Sequence, residues 1–241
     1  FAVMVLAMAT ISGAILILYA QTLSKTVPDA VGHMISASLI VLPASILIAR
    51  LMVPGDGATQ MDPGDTDLKY ESSIDAVITG TMDGVQLFLA VIGIIIVVFA
   101  LVALFDQILA VLPLIDGSPL TLRRFFGWIF APLMWAIGIP WEDAGTAGGL
   151  MGTKAILNEY VAYLDMAALP DGELGPRSKL IITYALCGFA NLASVGLLVS
   201  TIGTLCPARR TDAASLGMKS WVAGNLASAM TGAMIGLVTA V

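Results

Sequence analysis

Residues 152–163, GTKAILNEYVAY, place two charged side chains, Lys154 and Glu159, within an otherwise apolar region. On an ordinary membrane-spanning helix, each charge near the centre would cost about 2.5–3.5 kcal/mol even on the mildest insertion scale. A re-entrant hairpin packed inside protein avoids this cost, because its irregular tip can line an aqueous cavity. We therefore predict a helical hairpin over residues 142–169, with its tip near residues 158–160.

The rest of the chain has the composition of a membrane protein. Of its 241 residues, 58% are hydrophobic and 12% are charged, whereas a soluble domain usually has about a quarter of charged residues. Five segments lack Asp, Glu, Lys and Arg, and each is near or above the ~20 residues that a helix needs to cross the hydrocarbon core. These segments are 1–24, 31–49, 84–105, 180–208 and 220–241. The composition predicts a multi-pass α-helical membrane protein.

Two of these segments are interrupted by small and polar residues, at 10–13 and at 188–194, and each is followed by an unbroken helix. Paired interruptions of this kind indicate the binding site of an inverted-repeat transporter. We predict an all-α integral membrane fold with a first repeat over 1–53 and a second over 178–241. Between the repeats and the hairpin we expect a polar loop with a surface helix (54–84), a scaffold transmembrane helix (85–112) and an interfacial helix (120–141). Because Phe1 opens inside an apolar run, we also expect further membrane segments before it.

Other classes of function are less consistent with the sequence. The net charge of −6 provides no basic footprint for nucleic acid. His33 is the one histidine and has no second ligand near it, and no Ser/His or paired-Asp arrangement is visible, so we predict neither an enzyme nor a cofactor. A channel remains an alternative, as does a transporter of another small polar solute. A channel, however, needs a ring of repeated filter groups, and one hairpin with one carboxylate suits an occluded site better.

Several polar side chains at membrane depth are candidates for this site. Thr10 and Ser12 have a structural alternative, a hydrogen bond to the preceding helical turn. Asn191 suits a contact between two helices equally well. Glu159 is the strongest candidate, because a carboxylate within the membrane is a functional hypothesis by default. An ion pair with Lys154, five residues earlier, is its rival role, but that spacing sets the two side chains well apart around a helix.

The stretch 152–163 resembles the pattern G-x-K-x-x-x-N-E-[FY]-V-A-[YMF] of the concentrative nucleoside transporters. The stretch ALCGFANLASVG, residues 185–196, is similar to the second diagnostic stretch of that family. Other family landmarks follow in the same order along nearly the whole chain. The resemblance implies the C-terminal portion of such a transporter, from the fourth transmembrane helix onward.

Members of that family are homotrimeric symporters that move nucleosides into the cell with a sodium or proton gradient. The resemblance therefore implies a nucleoside substrate, a place in the plasma (inner) membrane and no cofactor besides the coupling ion. It also implies roles for individual residues. Glu159 and Asn191 would bind the ribose hydroxyls, Ser194 would join them, and Phe189 and Ile15 would pack against the nucleoside. The implied substrate-binding residues are Glu159, Asn158, Phe189, Asn191, Ser194 and Ile15, and the implied sodium ligands are Thr10 and Ile11.

Overall fold

The computed structural model of the chain describes residues 1–55, 70–115 and 117–239. Most of the predicted polar loop, residues 56–69, lies outside the described residues. Within the described ranges the chain is helical, with no β-strand. Its helices are α1 (Ala2–Ala9), α2 (Gly13–Leu23), α3 (Ala30–Met52), α4 (Ser73–Leu109), α5 (Leu122–Ala136), α6 (Trp141–Ile156), α7 (Glu159–Ala167), α8 (Pro176–Leu186), α9 (Leu192–Leu205) and α10 (Arg210–Val238).

Both predicted interruptions are present. The first separates α1 from α2, and its residues Thr10 and Ser12 have extended backbone (ψ 163° and 146°). The second separates α8 from α9 at residues 187–191, and it ends at Asn191, whose backbone is also extended (ψ 171°). Small and polar residues allow these breaks because they tolerate non-helical backbone and can bond the peptide groups that a helix end leaves free.

The helices α6 and α7 form the predicted hairpin shape. They are joined by two residues, Leu157 and Asn158, close to the predicted tip. The two helices fold back on each other. A contact between them shows this: Thr153 Oγ1 on α6 donates a hydrogen bond of 3.4 Å to Asp165 Oδ2 on α7. Asn158 begins α7 as its N-cap, since its Oδ1 accepts a hydrogen bond of 2.9 Å from the Val161 amide.

The structure differs from the prediction at residues 73–109. A surface helix ending near Asp83 and a separate scaffold helix from Val85 were expected, but both belong to the single 37-residue helix α4. The Ser72 hydroxyl caps it by accepting from the Asp75 amide at 3.1 Å. The expectation of two helices is wrong because Gly84 costs a helix only about 1 kcal/mol relative to Ala, and no proline lies between 73 and 109 to break it.

By length and composition, two helical segments in the described part of the chain are apolar enough to cross a membrane, Ala30–Met52 and Pro207–Val238. Shorter apolar helical stretches are Ile96–Leu109 and Leu192–Leu205. The interrupted segments do not reach this length, because each break divides one predicted span into two short helices.

Two glycines, on α6 and on α10, allow close contact between packed helices. Helix α5 lies against α6, and a Cβ added at Gly148 would stand only 2.8 Å from the Ala131 backbone nitrogen. Helix α10 contacts α1, α3, α8 and α9. There a Cβ added at Gly232 would lie 2.8 Å from the Ile181 carbonyl oxygen. The face of α10 that carries Gly232 is therefore a packing surface.

The Gly148→Ala variant is expected to lower the free energy of unfolding by about 1–3 kcal/mol, because the added methyl group meets the backbone of α5 rather than a movable side chain. Gly145→Ala, one turn earlier on α6, is the matched control, since nothing lies within 4 Å of its added Cβ. Thermal unfolding of the purified full-length protein measures both. Equal melting temperatures for the two variants would contradict this account of the α5–α6 contact.

Candidate functional site

The hairpin tip, the second interruption, α2 and part of α4 meet around a cavity of about 240 Å³. The second broken helix contributes its residues at the break, and α2 forms another wall. All six residues predicted to bind substrate line this cavity: Ile15, Asn158, Glu159, Phe189, Asn191 and Ser194. The structure thus brings together side chains from sequence regions more than 170 residues apart.

Glu159 is the charged group of this cavity. It is the first residue of α7, and only 2% of it is exposed. The Tyr19 hydroxyl donates to its Oε1 at 2.6 Å, and Asn191 Nδ2 lies 3.4 Å from its Oε2. The position at a helix N-terminus favours a negative charge, because the free amide groups there carry partial positive charge. The carboxylate is therefore held by protein donors and keeps acceptor sites free.

The Nδ2 group of Asn191 faces Glu159 because the Oδ1 atom of the same amide is fixed by hydrogen bonds. As the N-cap of α9, its Oδ1 accepts hydrogen bonds from the Ser194 amide at 2.8 Å and from the Ser194 hydroxyl at 2.9 Å. This arrangement turns the Nδ2 group toward the Glu159 carboxylate. Capping and presentation of an amide donor are thus combined in one side chain, and that explains why an asparagine stands where the helix restarts.

Lys154 is fully buried but does not pair with Glu159. Its ammonium donates to the Ala185 carbonyl at 3.1 Å and to the Ser228 hydroxyl at 2.5 Å. Within the part of the chain that the structure describes, no carboxylate oxygen lies within 4.0 Å of it. The rival role for Glu159, a direct ion pair with Lys154, is therefore not realised. Lys154 instead ties α6 to the end of α8.

Helix α10 supports the site through a row of polar side chains that bond the backbone of neighbouring segments. Trp221 Nε1 donates to the Ala155 carbonyl of the hairpin at 3.0 Å. Asn225 Nδ2 donates at 3.0 Å to the Ala190 carbonyl, which lies in the second break. These bonds satisfy carbonyl groups that the ends of α6 and the break would otherwise leave buried without a donor. Helix α10 therefore fixes the hairpin and the second broken helix relative to each other.

The predicted ion-binding residues lie in an adjoining cavity of about 380 Å³. Thr10 and Ile11 line it together with Ser12, and Tyr19 and Glu159 border both cavities. The Thr10 hydroxyl donates to the Leu6 carbonyl at 2.9 Å, so the structural alternative for Thr10 is present. Its oxygen still has lone pairs that can accept or coordinate. No group of three or more His, Cys, Asp or Glu side chains suited to a metal ion occurs among the described residues.

Other residues of the same cavity were not predicted from the sequence. Leu157 and Tyr160 flank the hairpin tip and line the cavity, and Tyr19 supplies the shortest hydrogen bond to Glu159. Tyr19 could have been suspected from the sequence, because it lies deep inside an apolar segment and a buried tyrosine hydroxyl usually needs a hydrogen-bond partner.

Known proteins resemble this chain along nearly its whole length. Residues 33–236 match the family model described as "Na+ dependent nucleoside transporter C-terminus". A Haemophilus influenzae protein described as an uncharacterized transporter is 38% identical over 98% of this chain and 58% of its own length. The nucleoside permease NupC of Helicobacter pylori is 33% identical over 98% of this chain and 57% of its own length. The chain thus spans little more than half the length of these relatives.

Solved structures of similar sequence have the same fold. CNTnw in an inward-facing substrate-bound state superposes with a TM-score of 0.75 at 38% identity, covering 98% of this chain and 56% of that one. A doubly substituted CNTnw in an outward-facing state gives a TM-score of 0.83 at 37% identity, covering 99% of this chain and 57% of that one.

Proposed function

Because the chain belongs to the family of Na+ dependent nucleoside transporters, of which it represents the C-terminal region, we propose that it forms the ribose-binding part of a symporter that moves nucleosides into the cell. Its relatives are transporters and permeases rather than enzymes, and it is a membrane protein as they are. The observation that carries the proposal is the buried pair of Glu159 and Asn191 at a cavity between the hairpin tip and the second break.

The pair suits the hydroxyl groups of a sugar. A carboxylate accepts hydrogen bonds from hydroxyl groups, whereas an amide both donates and accepts. In a cavity shielded from water these bonds are stronger than in bulk solvent. A solute without the hydroxyls would leave each buried polar group unpaired, at a cost of about 1–3 kcal/mol. This difference favours nucleosides over free bases.

The remaining predicted residues fit supporting roles. Ser194 is bonded to Asn191 and joins the hydroxyl-binding set. Phe189 and Ile15 supply apolar surface to the same cavity, which suits a flat base or the carbon face of a ribose. Asn158 caps α7 and so fixes the position of Glu159. The nucleoside would therefore lie between the hairpin tip, α2 and the start of α9.

The cotransported ion is sodium or a proton, and for sodium we assign the site to the first break. Thr10 and Ile11 border a cavity that shares Glu159 with the solute cavity. A cation there would therefore interact electrostatically with the carboxylate that binds the solute. Neutral oxygens suit a weakly held monovalent cation better than a tightly bound divalent one. The proposal includes a re-entrant placement of the α6–α7 hairpin, an inverted repeat relating the two broken helices, and a homotrimer in the plasma (inner) membrane.

The direct test is uptake of radiolabelled uridine into vesicles that contain the full-length protein, with sodium and pH gradients imposed separately. We expect accumulation above the outside concentration under one of the two gradients, and its collapse when an ionophore removes that gradient. Uridine that only equilibrates, whatever gradient is imposed, would favour the channel alternative. Failure of uridine, adenosine and cytidine to enter, or to compete with one another, would favour a different polar solute.

A further inference from the structure

Tyr19 lies on α2, far from the hairpin in sequence, yet it touches Glu159. It is buried, with only 3% of the residue exposed. Its hydroxyl donates to Glu159 Oε1 at 2.6 Å across a separation of 140 residues. A distance this short is typical of a charge-assisted hydrogen bond from a hydroxyl group to a carboxylate.

The ring of Tyr19 has a packing role as well. It stacks on Tyr160 with ring centroids 5.9 Å apart and leans against Tyr163 at 5.2 Å. Packing alone would be served equally well by phenylalanine. The comparison with Tyr163 shows what the hydroxyl adds: Tyr163 is also buried, but its hydroxyl donates to the Thr183 backbone carbonyl at 3.0 Å. Tyr19 alone of this pair directs its hydroxyl to the carboxylate at the cavity.

The carboxylate depends on this donor. Among the described residues no cation lies within 4.0 Å of Glu159, and its other protein side-chain donor, Asn191, is at the longer distance of 3.4 Å. The terminal torsion of a glutamate side chain has a broad energy profile and does not fix the carboxylate plane by itself. The short bond to Oε1 restricts this torsion, and it leaves Oε2 beside Asn191 Nδ2.

We propose that Tyr19 is a positioning residue for solute recognition: its hydroxyl holds the Glu159 carboxylate in the orientation that binds the solute hydroxyl groups. The inference rests on the proposed function for the identity of the solute. The contact also joins α2, which follows the first break directly, to the hairpin tip, where Glu159 stands. The orientation of the hydroxyl-binding carboxylate is thus set from the helix that borders the proposed ion cavity.

The test compares Tyr19→Phe with the matched control Tyr163→Phe in the full-length protein, at equal amounts in the membrane. Each variant keeps its aromatic ring and loses one buried hydroxyl. In Tyr19→Phe we expect the KM for uridine to rise about tenfold or more, from the loss of one hydrogen bond to a charged group, with a much smaller change in the maximal rate. In Tyr163→Phe we expect the KM to stay within about twofold, because no bond to the carboxylate is lost.

A second readout is independent of the solute. The infrared carboxyl band of Glu159 is identified as the band lost in Glu159→Gln, and we expect it to shift in Tyr19→Phe but not in Tyr163→Phe. An unshifted band in Tyr19→Phe, or the same KM change in both tyrosine variants, would overturn the proposal. If the wild-type protein takes up no nucleoside, the proposed function fails, while the infrared band still decides whether Tyr19 orients Glu159.

Discussion

The Glu159→Gln variant is expected to reduce the ratio of maximal rate to KM for uridine by about a hundredfold or more, since hydrogen bonds to a charged group contribute about 1.5–3 kcal/mol each and 1.4 kcal/mol corresponds to tenfold. Glutamine has the same shape but carries an NH₂ group where the carboxylate has an acceptor. The Tyr19 hydroxyl and the Asn191 amide both donate to the present carboxylate. The new NH₂ group would therefore either meet the Asn191 amide as a second donor or require the Tyr19 hydroxyl to turn and accept.

Uptake kinetics with radiolabelled uridine measure this effect at equal membrane expression. The matched control is Glu173→Gln, which removes the same charge from an exposed residue in the loop after the hairpin. Glu173 accepts one bond from Thr146 and does not line the cavity, so its variant should retain wild-type uptake. Wild-type kinetics in Glu159→Gln would remove that residue from the solute site.

The Asn191→Asp variant is expected to have a similarly large effect, for a different reason. Aspartate is as good an N-cap as asparagine, so α9 should keep its start at Leu192. The group that now donates toward Glu159 Oε2 at 3.4 Å would become a second carboxylate oxygen. Two carboxylates at that separation repel each other, and one must take up a proton or turn away. We expect uridine uptake to fall about a hundredfold with little change in melting temperature.

Two comparisons separate this effect from general damage. Thr121→Asp changes the cap of α5, where the Thr121 hydroxyl accepts from the Arg124 amide, and should leave uptake unchanged. The double variant Glu159→Gln/Asn191→Asp restores one carboxylate facing one amide. Its loss of uptake should therefore be smaller than the sum of the two single losses, as expected for directly interacting residues. Strictly additive losses would argue against a Glu159–Asn191 contact during transport.

The local features of the fold were predictable from the sequence. The breaks at 10–13 and 188–194 and the hairpin tip follow from residue types that disfavour helix at that place, and such preferences act over a few residues. The same locality explains the error at α4. Asp83 and Gly84 suggested that a helix ends there. A long helix tolerates both residues when the residues on either side of them are helical.

The contacts between distant segments were not predictable in this way. No local pattern connects Tyr19 to Glu159, because their pairing depends on how α2 packs against α7. Nor does the sequence reveal that Lys154 binds the Ala185 carbonyl, since that carbonyl needs an outside donor only where α8 ends. The resemblance to a known family supplied six residues of the cavity, but it did not supply the donors that orient them.

The buried ammonium of Lys154 constrains how the protein can move. Sliding α6 away from α8 would leave that charge buried without its hydrogen-bond partners, which costs several kcal/mol. Displacing α10 from these segments would break its bonds to the hairpin and to the second break. The hairpin, the second broken helix and α10 should therefore travel as one rigid block. For the proposed transport we therefore expect displacement of this whole block against its surroundings, rather than hinging within it.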